Sequence, residues 1–321
     1  MDFSPSVYEH AAGLIGKTPW EVSRDGELMV KAHQAAYERY HHTPITVGID
    51  IYNVEAEAYG AKIDKPDADN IPSVQEPLYS SAADLAAIDR IDLCKTGRWP
   101  LILNAAKELQ ALFPNAVVRI PVSGPFSIAV TLAGLENMLC DCSIDPDAAH
   151  TALKRLAQNQ INLCREIQNQ GLKITFFESA ATPPLLSPKQ FETILLPVLK
   201  DMLQEIKTIA NEAPALIIGG DTAPILDFIL KTAAGYVICP SETDQQVFME
   251  KIWDHTGIRV RVNMDAKIVA FGNREEIQKE VERIHTLAEQ RPNVCLGTGV
   301  LPYGTPPENV LFIENVLQRL Q

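Results

Sequence analysis

Short apolar runs rich in Val, Ile and Phe alternate along most of the chain with long stretches whose apolar residues recur at helical spacing. The runs at 45–51, 116–122, 173–177, 215–218, 235–239, 258–262 and 293–296 have the length and flanking turn residues of buried strands. The stretches between them predict helices with clear starts. Asp145-Pro146 supplies an N-cap and a first-turn proline, and the helix behind it turns Leu153, Leu156, Ile161, Cys164 and Ile167 to one face. Ser187 with Gln190, Asn273 with Glu276, and Thr305 with Glu308 have the spacing of capping boxes. Residues 1–43 read as helical throughout, with Val7, Ala11, Leu14 and Ile15 on one face, then Val22, Met29, Ala32, Ala36 and Tyr40.

Strands that alternate with helices imply a parallel sheet, and a spacing carried over about 250 residues suits a closed (β/α)8 TIM barrel. The expected architecture is therefore one α/β barrel domain over 1–321, with 1–43 as an N-terminal helical extension. No Gly-x-Gly-x-x-Gly follows an early strand and no Gly-Lys-Ser/Thr loop is present, which removes the usual support for nucleotide binding. Residues 64–77, polar and proline-bearing, predict a long rim loop or lid.

With 28 Lys+Arg against 41 Asp+Glu and a net charge of -13, the chain's field repels nucleic acid and anionic membranes. The N-terminus has neither a basic start nor a long apolar core, and no run reaches the ~18 apolar residues of a membrane span. A soluble cytoplasmic protein is expected. The 6 cysteines are scattered and do not form a disulfide framework, and Cys140 and Cys142 lack a second ligand pair nearby. The histidines His10, His33, His41, His42, His150, His255 and His285 fall in helical or connecting segments and predict solvated or partly packed side chains. No Gly-x-Ser-x-Gly or His-Glu-x-x-His motif occurs, so serine-hydrolase and zincin chemistry fall away.

Barrel enzymes build their sites beyond the carboxyl ends of the strands. The first such end is acidic, with Asp50, Tyr52, Asn53, Glu55 and Glu57. The second offers Ser123 and Phe126 around a Gly-Pro turn that lets a ligand approach the backbone. The third places Glu178 behind Phe176 and Phe177, where desolvation would raise a carboxyl pKa and suit a general acid. Later ends contribute Asp221, then Asn263 and Asp265, then Thr298 with Tyr303 beyond.

Taken together, GIDIYNVEAEAYGAKI, VSGPFSIAVTLAGLE, FFESAATPPLLSPKQF, IIGGDTAPIL, VNMDAKIVAFGNREEI and LGTGVLPYGTPPENV resemble the uroporphyrinogen decarboxylase superfamily over nearly the whole chain. The resemblance implies a (β/α)8 barrel and one of two activities: porphyrinogen decarboxylation, or methyl transfer to or from a corrinoid. Asp50 matches the family's aspartate after the first strand. The decarboxylases' arginine-bearing N-terminal motif reads ELMVKAHQAAYERY here, and their C-terminal histidine is Thr298. The thiol-activating methyltransferases bind zinc through a His-x-Cys and a later Cys, positions that correspond here to Ile217, Gly219 and Thr298. The pattern is most similar to the corrinoid-dependent methyltransferases. It implies transfer from a small donor, such as a methoxylated aromatic, to the cobalt of a corrinoid (cobalamin) on a separate carrier protein.

On that reading Asp50, Glu178 and Asp221 are the catalytic candidates. Tyr52, Asn53, Glu57, Ser123, Phe126, Phe177, Asn263, Asp265, Thr298 and Tyr303 are candidates for contacting substrate or corrinoid. An unconventional zinc set drawn from Asp50, Glu57, Asp221, Cys239, Asp265 and Cys295 stays open. Decarboxylation of an acid, and a barrel that binds a tetrapyrrole or a partner without catalysis, are the alternatives.

Overall fold

The computed structural model describes residues 1–320. Its main sheet has 8 strands, all paired in parallel. In chain order they are β1 (Asp2–Ser6), β2 (Ile45–Thr46), β3 (Val118–Ser123), β4 (Lys173–Phe177), β5 (Ala215–Ile217), β6 (Tyr236–Cys239), β7 (Arg259–Met264) and β8 (Val294–Val300). Each of β2 to β8 pairs with the next, and β8 pairs with β1, so the sheet curls into a (β/α)8 barrel. Among the described residues no backbone ladder joins β1 to β2, and the seam is crossed by Ser4 Oγ donating to Thr43 O at 3.3 Å.

The expected strands all form, most with shifted ends. The first is cut to Ile45–Thr46, because the chain turns into the helix Ile51–Ala58 with Asp50 at its N-cap. The N-terminal expectation needs correction. Residues 1–43 are not helical from the start, since Asp2–Ser6 is the barrel's eighth wall strand, and the helices Glu9–Leu14, Pro19–Arg24 and Gly26–Tyr40 follow it. Pro5 obscured the strand; it is tolerated because β1 has a free edge and its pairing with β8 slips between Ser4 and Ser6.

Alternation along the strands separates two environments. Phe176, Leu216, Val237, Val260 and Val262 point outward into the continuous core shared with the helices. Tyr8, Phe177, Ile217 and Ile238 instead form a separate apolar layer inside the barrel. Outside, Asp145 caps the helix Pro146–Asn169, whose expected inward residues are all buried, and the boxes at Ser187 and Asn273 form. The third expected box differs: the Thr305 hydroxyl donates to Pro302 O at 2.8 Å, and the helix begins at Pro307. Among the described residues no single helix is long and apolar enough to cross a membrane.

The histidine expectation also changes. His10, His33 and His42 are buried; His33 Nε2 accepts from the Gly48 amide at 3.1 Å, and His10 Nε2 bonds to the Tyr40 hydroxyl at 2.8 Å. Helical spacing could not separate these from exposed histidines, because their helices are packed against the barrel.

Candidate active site at the barrel mouth

The carboxyl ends of the strands surround a cavity of about 410 Å³ lined by Tyr8, Glu9, Asp50, Tyr52, Asn53, Phe177, Ser179 and Thr131. The rim loop supplies Ile71 to Val74 as part of the wall. This segment is the expected loop at 64–77, folded back as a short ladder in which Ile63–Asp64 pairs antiparallel with Ser73–Val74. Asn53 Nδ2 donates to Pro72 O and holds the loop against the mouth. Neither Arg nor Lys lines the cavity.

The carboxyls of the wall are held in two different states. Asp50 accepts two bonds from Arg98, Nη1 to Oδ1 and Nη2 to Oδ2, each at 2.7 Å. Arg98 also donates to Glu57, which Arg24 engages as well. A bidentate guanidinium pair fixes the orientation of a carboxylate, so Asp50 and Glu57 tie the strand end to the N-terminal helices. Glu9 has no such partner. It is buried, its Oε2 makes no hydrogen bond, and burial lifts its pKa from 4.5 to about 7. It therefore holds a proton near neutrality, in a residue that belongs to the wall of an aromatic and aliphatic cavity.

Tyr52 completes the polar side of the wall. Its hydroxyl oxygen accepts from the Ser179 amide at 3.4 Å, and burial raises its pKa, so the phenol keeps its proton. Phe177 meets Tyr8 edge to face with centroids 6.1 Å apart, giving the floor an aromatic surface.

Asp50, Tyr52, Asn53 and Phe177 thus stand at the mouth as the sequence suggested, but several other candidates do not. Glu178 is fully buried behind the wall, where its Oε1 accepts from the Ser127 amide at 2.8 Å at the start of the helix Pro125–Ala133. It lies so close to Gly124 that a Cβ there would fall 1.5 Å from Oε2. Burial pushes Glu178 up to about 8 and its neighbour Glu55 up to about 7. Glu55 accepts from the Ser123 amide at 3.1 Å and from Gln160 Nε2 at 3.0 Å. The two carboxyls and Ser123 form a sealed polar layer between strands and helices. Desolvation after two aromatics was read correctly for Glu178, but strand alternation turns its side chain away from the barrel interior that Phe177 faces.

The remaining candidates are outside the lining of this cavity and make structural contacts. Asp221 Oδ1 accepts from the Thr243 hydroxyl at 2.7 Å, and Asp265 Oδ1 from the Lys267 amide at 2.8 Å at a helix start. Thr298 bridges the bulge between β8 and β1: its Oγ1 accepts from the Ser6 amide at 3.0 Å. Asn263 Oδ1 accepts from Arg261 Nε at 3.0 Å, Phe126 is in the outer core, and Tyr303 packs over Gly13. Sequence reasoning missed Tyr8 and Glu9. The alternation Phe3-Ser4-Pro5-Ser6-Val7 just before them was the available sign of a strand ending there.

The positions corresponding to zinc ligands hold no donors of that kind. Ile217 belongs to the apolar layer, Gly219 has no side chain, and Thr298 is engaged by Ser6. Among the described residues no three His, Cys, Asp or Glu side chains gather into a metal-binding group. Asp50, Glu57, Asp221, Cys239, Asp265 and Cys295 are accordingly separate residues and not a ligand set.

A mouth cavity over an apolar floor in a (β/α)8 barrel defines a class of small-molecule enzymes in which strand ends carry the chemistry. Within that class the chain belongs to the uroporphyrinogen decarboxylase (URO-D) family, whose model matches residues 5–319. Among curated relatives, methylated-thiol–coenzyme M methyltransferase of Methanosarcina mazei is 29% identical over 210 residues, 64% of this chain and 54% of that protein. Uroporphyrinogen decarboxylase of Synechococcus sp. is 26% identical over 167 residues, 51% of this chain and 46% of that protein. The chain thus matches about half the length of these relatives. Uroporphyrinogen decarboxylase of Hordeum vulgare is 26% identical over 260 residues, covering 78% and 76% of the two chains. Among solved structures, a methyltransferase from Methanosarcina mazei superposes with a TM-score of 0.81 at 20% identity, over 99% of this chain and 92% of that one.

Proposed function

We propose that the protein is a methyltransferase that takes a methyl group from a small donor bound at the barrel mouth. The acceptor would be the cobalt of a corrinoid presented by a separate carrier protein. The observation that carries this reading is Glu9: a carboxyl with no cationic partner, an unbonded Oε2 and a pKa of about 7, in a residue that lines an aromatic cavity that no cation lines. A methoxylated aromatic is the donor that this wall suits. Its ring would lie between Tyr8, Phe177 and Tyr52, with the ether oxygen toward Glu9.

As the methyl–oxygen bond breaks, the methyl passes to the acceptor and the bonding electron pair stays on oxygen. Glu9 gives its proton to that oxygen, so the product leaves as a phenol and Glu9 is reprotonated from solvent. Tyr52 can donate its own hydroxyl proton as a hydrogen bond to the same oxygen without losing it. Val300 and Ile71, 49% and 43% exposed at the edge of the cavity, offer an apolar rim against which the carrier can seat.

Two observations favour this over the other family activities. Recognition of a polycarboxylate substrate needs several cations, and the cation nearest the wall, Arg98, is already committed to Asp50 and Glu57. Activation of a thiol through a His-x-Cys site is not supported, because Ile217 and Gly219 occupy those positions. The test is incubation with reduced corrinoid and a donor panel of aryl methyl ethers, methylated thiols and methylamines. Methylated corrinoid together with free phenol is expected from the ethers. No methylation from any donor, or coproporphyrinogen appearing from uroporphyrinogen, would overturn the proposal.

A further inference from the structure

Beneath the apolar layer, toward the amino ends of the strands, the barrel holds a second cavity of about 140 Å³. Three arginines line it, Arg119 from β3 and Arg259 and Arg261 from β7, with Tyr8, Thr46, Thr175 and Tyr236 between them; no Asp or Glu lines it. The interior of such a barrel is ordinarily filled by layers of branched apolar side chains. A cationic space there is a departure that needs a physical account.

Two of the arginines, Arg119 and Arg261, are short of partners. Arg261 is 8% exposed, and its hydrogen bond among the described residues is the one from Nε to Asn263. Its side chain lies across Gly297, where a Cβ would come within 2.4 Å of Cδ, so the strand is relieved of a side chain to admit it. Arg119 Nε is buried without a partner, and its Nη1 reaches Ile174 O and Thr175 Oγ1 only at 3.5 Å. Burial lowers the Arg119 pKa, and the charge of Glu212 offsets only part of the loss of water. Arg259 has a carboxylate partner, Asp2 at 2.8 Å, but that pair is on the surface, with side chains 42% and 76% exposed. The Tyr236 hydroxyl is likewise buried, with no oxygen or nitrogen partner and the Cys295 thiol as its neighbour.

A guanidinium cannot answer desolvation by giving up its proton, so Arg261, which is buried, and Arg119, which is half-buried, need a counter-anion or water where they leave the solvent. The volume is well above the ~15 Å³ that one water requires, and the donors converge from two strands as a fork that suits oxygen pairs. The open β1–β2 seam gives a way in: a narrow cleft bounded by Ser4, His42, Pro44 and Thr46 reaches Arg261. We propose that the base of the barrel is a binding site for a compact oxyanion, a phosphate, sulfate or carboxylate group, held by Arg119, Arg261 and the Tyr236 hydroxyl. The site is separate from the mouth, and Tyr8 and Phe177 are the wall between them.

The experiment is calorimetric titration of the purified chain with inorganic phosphate, and separately with acetate, in chloride buffer at fixed ionic strength. One saturable site per chain is expected, and the tighter of the two ligands tells whether a phosphate-type or a carboxylate group is preferred. Arg119→Met should weaken binding at least tenfold. Arg119→Lys and Tyr236→Phe, which disturb packing less, should weaken it several-fold and serve if the methionine variant does not fold. No saturable binding of either anion to the unaltered chain would overturn the proposal, as would binding that Arg119→Lys and Tyr236→Phe leave unchanged. Neither outcome depends on whether methyl transfer is observed.

Discussion

At the mouth of the barrel the acidic residues Glu9 and Asp50 belong to the wall of a cavity that no Arg or Lys lines, whereas at its base Arg119, Arg259 and Arg261 line one without Asp or Glu. Both ends are desolvated, yet the two charge types respond differently. A carboxyl can escape the cost of burial by keeping its proton, as Glu9 does with a pKa of about 7. An arginine cannot, so the base must take an anion or water while the mouth can hold a neutral acid ready to give its proton away. The net charge of -13 conceals this segregation.

The largest effect in testing the contrast is expected where a mouth carboxylate does depend on a cation. Arg98 and Asp50 are a buried pair, 6% and 0% exposed at the side chain. Removing one partner leaves an uncompensated buried charge and costs about 3–5 kcal/mol. Arg98→Met should therefore lower the denaturation midpoint sharply, and adding Asp50→Leu should recover most of the loss. If Arg98→Met costs under about 1 kcal/mol, Asp50 is not the locked ion that separates it from Glu9.

Glu9 is the next test, and it acts on rate more than on stability. Glu9→Gln should lower the rate of methyl transfer about 100-fold, within the range ordinarily attributed to a positioned acid. In the unaltered protein the rate should fall as pH rises through about 7, because the proton-bearing form is lost. The variant should show no such limb. A limb that persists in Glu9→Gln assigns the titration to another group and sinks the role given to Glu9.

How much of this could be read from the chain depends on which feature carried the signal. Periodicity alone placed the strands that are apolar and flanked by turns, so β4, at Lys173–Phe177, was foreseen to the residue. It failed at Asp2–Ser6, whose side chains apart from Phe3 are small or polar where the strand borders the open seam. That failure hid Glu9, the residue just past the strand and its short turn. For Glu178 the chemistry of the neighbours was legible, but its direction was not, because two aromatics in succession necessarily face opposite sides of a strand. The basal arginines were invisible for a related reason: Arg259 and Arg261 sit in an alternating run that reads equally well with its polar face in solvent.

Stability against pH sharpens the same comparison on carboxyls that cannot reach substrate. Glu178 and Glu55 have folded pKa values raised to about 8 and about 7, both by burial. The native state holds these protons more tightly than the unfolded chain. Their contribution is fully present below 4.5 and is lost as pH rises through 7 and 8. The buried histidines act in the opposite sense: burial lowers His33 to about 4 and His42 to about 3, so their contribution is present above 6.5 and lost as pH falls through 4 and 3. Thermal unfolding should thus show a maximum on the acid side of neutrality. Glu178→Gln should be less stable than the unaltered chain near pH 5, because the amide brings a donor without a partner, and should gain on it as pH rises through 8, because the amide cannot ionise. Parallel curves for the two proteins would mean that Glu178 does not titrate in the folded state.

The smallest expected effect lies at the rim, where the mouth meets solvent. Val300 is 49% exposed at the cavity edge, so Val300→Asp should change stability by less than about 0.5 kcal/mol. If the rim seats a carrier, a charge there must be desolvated on docking, and rim charges act chiefly on association. The apparent KM for the carrier should rise about threefold with kcat nearly unchanged, while free corrinoid as acceptor should show a smaller change. Equal effects with carrier and free corrinoid would place the substitution's influence inside the cavity and remove the argument for a docking rim. A change in kcat alone would have the same consequence, because it would tie Val300 to the donor and leave the carrier's seat to be found elsewhere on the strand-end face.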